Sequence, residues 1–174
     1  MPSDPMMLLI DLFCRRIEDL FPSREDLTWP QFQALRFLER HTNPSIGAIA
    51  ESLGISNPAA TKAVDRLVTR GWVDRSENPQ DRRTLLLGLT ASGEEILKSF
   101  LESRQNHLDR ILEGMRVEER RALKRGLRSF LSSSFLENRP SIQATCLRCG
   151  RDHNPDCIVN QASIALLEQP LERI

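Results

Sequence analysis

Residues 52–71, SLGISNPAATKAVDRLVTRG, decide the fold. Gly54 permits a tight turn, because glycine enters the left-handed backbone region without a Cβ penalty. Ser56 or Asn57 then caps a new helix, and Pro58 is tolerated in its first turn, where a backbone N–H lacks a partner in any case. Ala60, Val64, Leu67 and Val68 recur at helical spacing and make a buried stripe. Gly71 suits the left-handed position just past a helix end. Upstream, Asn43-Pro44-Ser45 breaks one helix and caps a short one with Ile46, Ile49, Ala50 and Leu53 as its apolar positions. Two short helices joined by a glycine-containing turn of this length make a helix-turn-helix.

The second helix of such a pair can enter the major groove of DNA, with its N-terminal side chains at base edges and its far face on the core. Its outward positions here are Ser56, Asn57, Ala59, Thr61, Lys62, Asp65 and Arg66. Serine, asparagine and threonine bond bases or phosphates, the Ala59 methyl can touch thymine, and Lys62 and Arg66 reach phosphates or guanine. Taken alone, an ordinary helix pair with a solvated polar face fits equally well.

The next residues shift the balance. Trp72-Val73-Asp74-Arg75 reads as a strand and Thr84 to Leu89 as another, with the polar SENPQDRR between them. That is a hairpin with a long exposed tip, a wing. From Lys62 to Arg83, six basic residues (Lys62, Arg66, Arg70, Arg75, Arg82 and Arg83) stand against four acidic ones (Asp65, Asp74, Glu77 and Asp81). The surplus matters because the chain as a whole is neutral, with 24 basic and 24 acidic side chains, so only a local patch can attract phosphate. A loop ending in Arg82-Arg83 suits a narrow minor groove, where negative potential is focused. Asp81 cannot favour phosphate and is expected to hold an arginine by a salt bridge.

Outward from this centre the apolar periods are helical. Leu9, Leu12, Phe13, Ile17 and Leu20 predict an amphipathic helix over 5–21, ended by Pro22 and Ser23. Thr28 caps a helix that runs to about His41, Thr90 caps a long one through Leu112, and Val117 opens another through Leu131. The run SSSFLENRPS then reads as a linker. No stretch approaches the ~20 apolar residues of a membrane span, and the start lacks the layout of a signal peptide, so a cytoplasmic location with no membrane contact is expected. The three histidines are far apart in sequence, and no phosphate loop or nucleophile motif accompanies them, so no enzyme activity is expected.

The segment from Leu27 to Thr90 resembles the MarR family of bacterial regulators, through LTWPQFQALRFL, IAESLGISNPAATKAVDRLVTRGWVDR and NPQDRRTLLLGLT. The resemblance covers residues 5–136 in element order. It implies a mainly α, winged helix-turn-helix fold with a helical dimerisation region, its DNA-binding part at about 43–89. It makes Arg83 the minor-groove arginine and Asp81 its anchor. It also implies a homodimer through the first and last two helices, and repression at a pseudo-palindromic double-stranded operator. A small phenolic or acidic effector would bind between the DNA-binding and dimerisation regions. With the residues read above, the DNA-contacting set is Ser56, Asn57, Ala59, Thr61, Lys62, Arg66, Arg75, Asp81, Arg82 and Arg83. Some relatives sense hydroperoxides with one cysteine activated by tyrosines. This chain has no tyrosine, so Cys14 reads as a small buried apolar residue.

Residues 137–174 form a cysteine-rich tail outside that pattern. In TCLRCGRDHNPDC, Cys146 and Cys149 frame a two-residue gap that lets one turn present two thiolates to a metal, and His153 and Cys157 complete a set suited to tetrahedral zinc. The set is similar to a zinc knuckle, but no aromatic lies between 140 and 174 to stack on a base, which disfavours an RNA-binding adaptor. An iron–sulfur cluster, a Cys146–Cys149 redox dithiol and a plain flexible tail remain as alternatives. A thiol–disulfide oxidoreductase is disfavoured because no βαβ pattern surrounds the motif. Residues 162–167 suggest a short terminal helix or strand that docks on the body or on a second subunit.

Overall fold

The structure is a computed structural model, and it describes residues 4–19, 27–77, 85–138, 141–149 and 156–171. The elements run α1 (Pro5–Glu18), α2 (Trp29–Leu38), α3 (Ile46–Leu53), α4 (Asn57–Thr69), β1 (Val73–Glu77), β2 (Leu85–Leu89), α5 (Ala91–Glu113), α6 (Val117–Glu137), α7 (Ser141–Cys149) and α8 (Ile158–Leu167). The two strands pair antiparallel, with Val73 opposite Leu89, Arg75 opposite Leu87 and Glu77 opposite Leu85.

Local chemistry sets the boundaries. Ser45, Ser56 and Thr90 each accept a hydrogen bond from the backbone N–H three residues on, satisfying one of the orphan donors of α3, α4 and α5. Gly54 (φ 64°) closes α3 and Gly71 (φ 70°) follows α4, both in the left-handed region where a Cβ is costly. Gln31 is buried in α2, and its side-chain oxygen accepts from the Thr28 backbone N–H at 2.9 Å, so its polarity is matched inside the fold.

One core joins α2, α3, α4, the hairpin and α5. Leu35, Ile49, Val64, Leu67, Leu87 and Leu97 are among its fully buried members, and Phe32 meets Phe100 with ring centroids 4.7 Å apart. Each such side chain contributes about 2 kcal/mol by leaving water. The core fixes the angle of α4, whose inner face it takes up.

Two expectations are corrected here. The run SSSFLENRPS is not a linker over its first six residues, because α6 continues to Glu137 and buries Phe135. The Ser134 hydroxyl donates to the Leu131 carbonyl at 2.8 Å, which satisfies it within the helix. Phe135 then joins Ile142, Cys146, Val159 and Ala162 in a second, small core, where α7 and α8 pack on each other, α8 on α6, and α7 on α3. Cys14 is exposed rather than buried, because α1 buries none of its residues within the single chain. No helix among the described residues is long and apolar enough to cross a membrane.

Candidate nucleic-acid interface

α4 stands with Ala60, Ala63, Val64 and Leu67 in the core and its other face in solvent. Asn57, Ala59, Lys62 and Arg66 are exposed on that outer face, as the helical period requires. Ser56 is exposed too, but its oxygen is engaged as the N-cap of α4, so the hydroxyl proton is what it offers a phosphate. Thr61 is half-buried and donates to the Asn57 carbonyl at 2.9 Å, which leaves its oxygen as an acceptor.

Arg75 on β1 ion-pairs with Asp65 on α4. This tie went unnoticed in the sequence, where Asp65 is simply one outward residue among several. Ten positions separate the two, and only the turn at Gly71 brings strand and helix side by side. The pair braces the base of the hairpin against the helix it would accompany into DNA. A second brace sits below it. The Thr90 hydroxyl donates to the Gly71 carbonyl at 2.6 Å, the Thr90 N–H donates to the Trp72 carbonyl at 3.2 Å, and the Arg70 guanidinium lies 5.0 Å over the Trp72 ring. Asp81, Arg82 and Arg83 lie outside the described residues, so the wing tip and the anchoring role expected of Asp81 do too.

The Asp65–Arg75 pair predicts the sign of a substitution. Asp65→Ala is expected to weaken DNA binding by about threefold to tenfold, although it removes a negative charge near phosphate, because Arg75 loses its fixed position. Thermal stability should barely move, since a half-exposed pair contributes roughly 0–1 kcal/mol. Fluorescence anisotropy on labelled DNA measures this, and tighter binding by the variant would mean that Asp65 is only repulsive.

In the tail, Cys146 and Cys149 lie on α7 and Cys157 is the N-cap of α8. The turn expected around Cys146-Cys149 is therefore a helix, in which residues three apart share a face. Burial, then the neighbouring thiols of Cys149 and Cys157, push the Cys146 thiol up from its usual range. His153 lies outside the described residues. Among the described residues, no group of three or more His, Cys, Asp or Glu is gathered closely enough to hold a metal ion.

Comparison with known proteins places this arrangement. Residues 27–85 match the MarR family. The uncharacterized HTH-type transcriptional regulator YfiV of Bacillus subtilis is 36% identical over 113 residues, which span 65% of this chain and 69% of that protein. The transcriptional repressor MprA of Escherichia coli is 37% identical over 103 residues, 58% of each chain. Among solved structures, RV1404 from Mycobacterium tuberculosis superposes with a TM-score of 0.64 at 29% identity, covering 75% of this chain and 95% of that one. The hairpin braced on α4, the shared core and these matches lead to one conclusion: the chain belongs to the MarR family of transcriptional regulators.

Proposed function

We propose that the protein is a homodimeric repressor that sets α4 of each subunit into the major groove of a pseudo-palindromic operator. The observation that carries this is the exposed row Asn57, Ala59, Lys62 and Arg66 on a helix whose opposite face is locked in the core. Groove-facing small and polar residues read base edges, and the two cations meet phosphate or guanine. The hairpin, held by Asp65, would carry its tip along the backbone towards the minor groove, which is the role that the resemblance gives Arg83.

The apolar surfaces outside the core support a dimer. α1 exposes Met6, Met7, Leu8, Leu9, Leu12 and Phe13, and α5 and α6 expose Ile111, Leu127, Phe130 and Leu131. So many exposed large apolar side chains on the helices of a lone chain call for a partner. A cavity of about 600 Å³ lies between the end of α2, β2 and the first turns of α5, lined by His41, Leu87, Leu89, Glu94, Lys98 and Leu101 among others. Its lining also carries Glu39, Glu94 and Glu102 against the single Lys98, so a neutral or cationic effector with an apolar body suits it better than an acidic one, and binding there would bias the spacing of the two winged units.

The test is twofold. Light scattering at micromolar concentration should give twice the 19.9 kDa chain mass. A footprint on genomic fragments selected by the protein should show two half-sites with centres about 10 base pairs, or a multiple, apart. A monomer, or a single unpaired half-site, would overturn the paired-helix reading.

A further inference from the structure

A cavity of about 400 Å³ opens between α6 and α8, and residues 27–85, which match the family, contribute nothing to it. Arg128, Ser129, Ser132 and Leu136 line it from α6, and Ile158, Ala165 and Leu166 from α8. The α6 wall therefore passes from a guanidinium and two hydroxyls to a leucine over about two turns, or ~12 Å, of helix. Among the described residues no acidic side chain lines it, in contrast to the glutamates beside His41.

Arg128 is held in place without being neutralised. It donates to the Asp156 carbonyl at 3.3 Å and to the Gln161 side-chain oxygen at 2.7 Å, and both acceptors are uncharged. Among the described residues no carboxylate is ion-paired with it. A guanidinium carries further N–H groups beyond the two used here, and these are left for a ligand. Arg121 and Arg125, both exposed, precede Arg128 on the same face of α6, against one carboxylate, Glu118, at the far end of the helix. The cavity also faces away from the surface assigned to the dimer. Ser129, Ser132 and Leu136 lie roughly half a turn round α6 from Leu127, Phe130 and Leu131, so a dimer built on those three leaves the cavity open.

We propose that this cavity binds a small amphiphilic carboxylate, with its head on Arg128 and its apolar body against Leu136, Ala165 and Leu166. A carboxylate matches the planar fork of a guanidinium, and Ser129 and Ser132 add hydroxyl donors beside it. The apolar body covers Leu136, which is 58% exposed, and Ala165, which is exposed as well. The volume lies near the lower end of the ~300–1,000 Å³ usual for small-molecule sites, which fits a short chain or a single ring. Such a ligand touches α6 and α8 together, so binding stabilises the tail against α6. Both walls belong to one chain, and the inference stands apart from the dimer and operator readings.

Calorimetric titration of the full-length protein with octanoate and with 1-octanol tests the site, since the two probes share a body and differ in charge. One octanoate per chain is expected, bound about tenfold or more tightly than octanol. Arg128→Gln removes the charge but keeps an amide for Gln161, and should lower octanoate affinity to that of octanol while leaving octanol unchanged. A loosened tail would weaken both probes alike. Ala165→Trp, at an exposed position, fills the apolar end and should abolish binding of both with the melting midpoint kept. Octanoate unbound at millimolar concentration, or bound no better than octanol, would overturn the proposal. So would binding indifferent to both variants, which would place octanoate elsewhere, such as the cavity beside His41. An assembly larger than a dimer that Ala165→Glu breaks up would assign this surface to a further copy of the chain instead. A failed dimer reading shows separately, as a monomer in light scattering that still binds octanoate.

Discussion

Replacing Lys62 and Arg66 together by alanine is expected to weaken operator binding by about a hundredfold or more at moderate salt. Both side chains are exposed on α4, so circular dichroism and the melting midpoint should stay as in the parent. The effect is large because the proposed dimer would count each substitution twice. Four cation–phosphate contacts vanish, and the slope of log affinity against log salt should flatten by roughly 3 to 4. That slope separates lost charge contacts from a damaged fold, which would lower affinity at every salt concentration alike. An unchanged slope would mean that α4 does not lie on the phosphates.

The second large effect concerns stability. Gly93 is the third residue of α5, and a Cβ built there would sit 2.0 Å from the Trp72 carbonyl oxygen and 2.8 Å from Leu89 Cδ2. Helix propensity alone favours Gly93→Ala by up to about 1 kcal/mol. The clash decides otherwise. Its nearest neighbour is backbone, which cannot rotate away, so α5 must shift from the hairpin base. That shift stretches the Thr90 N–H bond to the Trp72 carbonyl and the Thr90 hydroxyl bond to Gly71. A net loss of roughly 3 kcal/mol follows, or about 6–12 °C in melting midpoint for a chain of this size. Calorimetry on the variant checks it, and a midpoint equal to or above the parent's would refute the close approach.

The centre of the fold was legible because periodicity and caps agree there. Ala60, Val64 and Leu67 are buried as their spacing predicts, Ser45, Ser56 and Thr90 cap as their positions predict, and Gly71 takes the left-handed backbone that follows α4. The exposed row on α4 comes from the same period and was equally readable. The misses have physical causes outside any local pattern. Three serines and a proline argue for a linker on propensity, but burial of Phe135 overrides propensity and carries α6 to Glu137. Cys14 reads as buried because a chain without tyrosine offers it no activating partner, but α1 buries none of its residues within the single chain. Asp65 and Arg75 meet only because the core fixes the angle between α4 and β1, which no spacing rule encodes. The Cys-x-x-Cys motif suits a turn or a helix equally, and the α7–α8 contact selects the helix.

α6 is one unbroken helix with its middle and its end committed to different surfaces. Leu127 and Leu131 face outward from the single chain, whereas Phe135, one turn further on, is sealed in the tail core. Each residue turns a helix by about 100°, so one inserted or deleted position between them would swing Phe135 out of its core or the two leucines off their face. Length is therefore held constant by phase in α6, as it is for teeth on a shaft. A change of length in this shaft that keeps both surfaces therefore comes in whole turns.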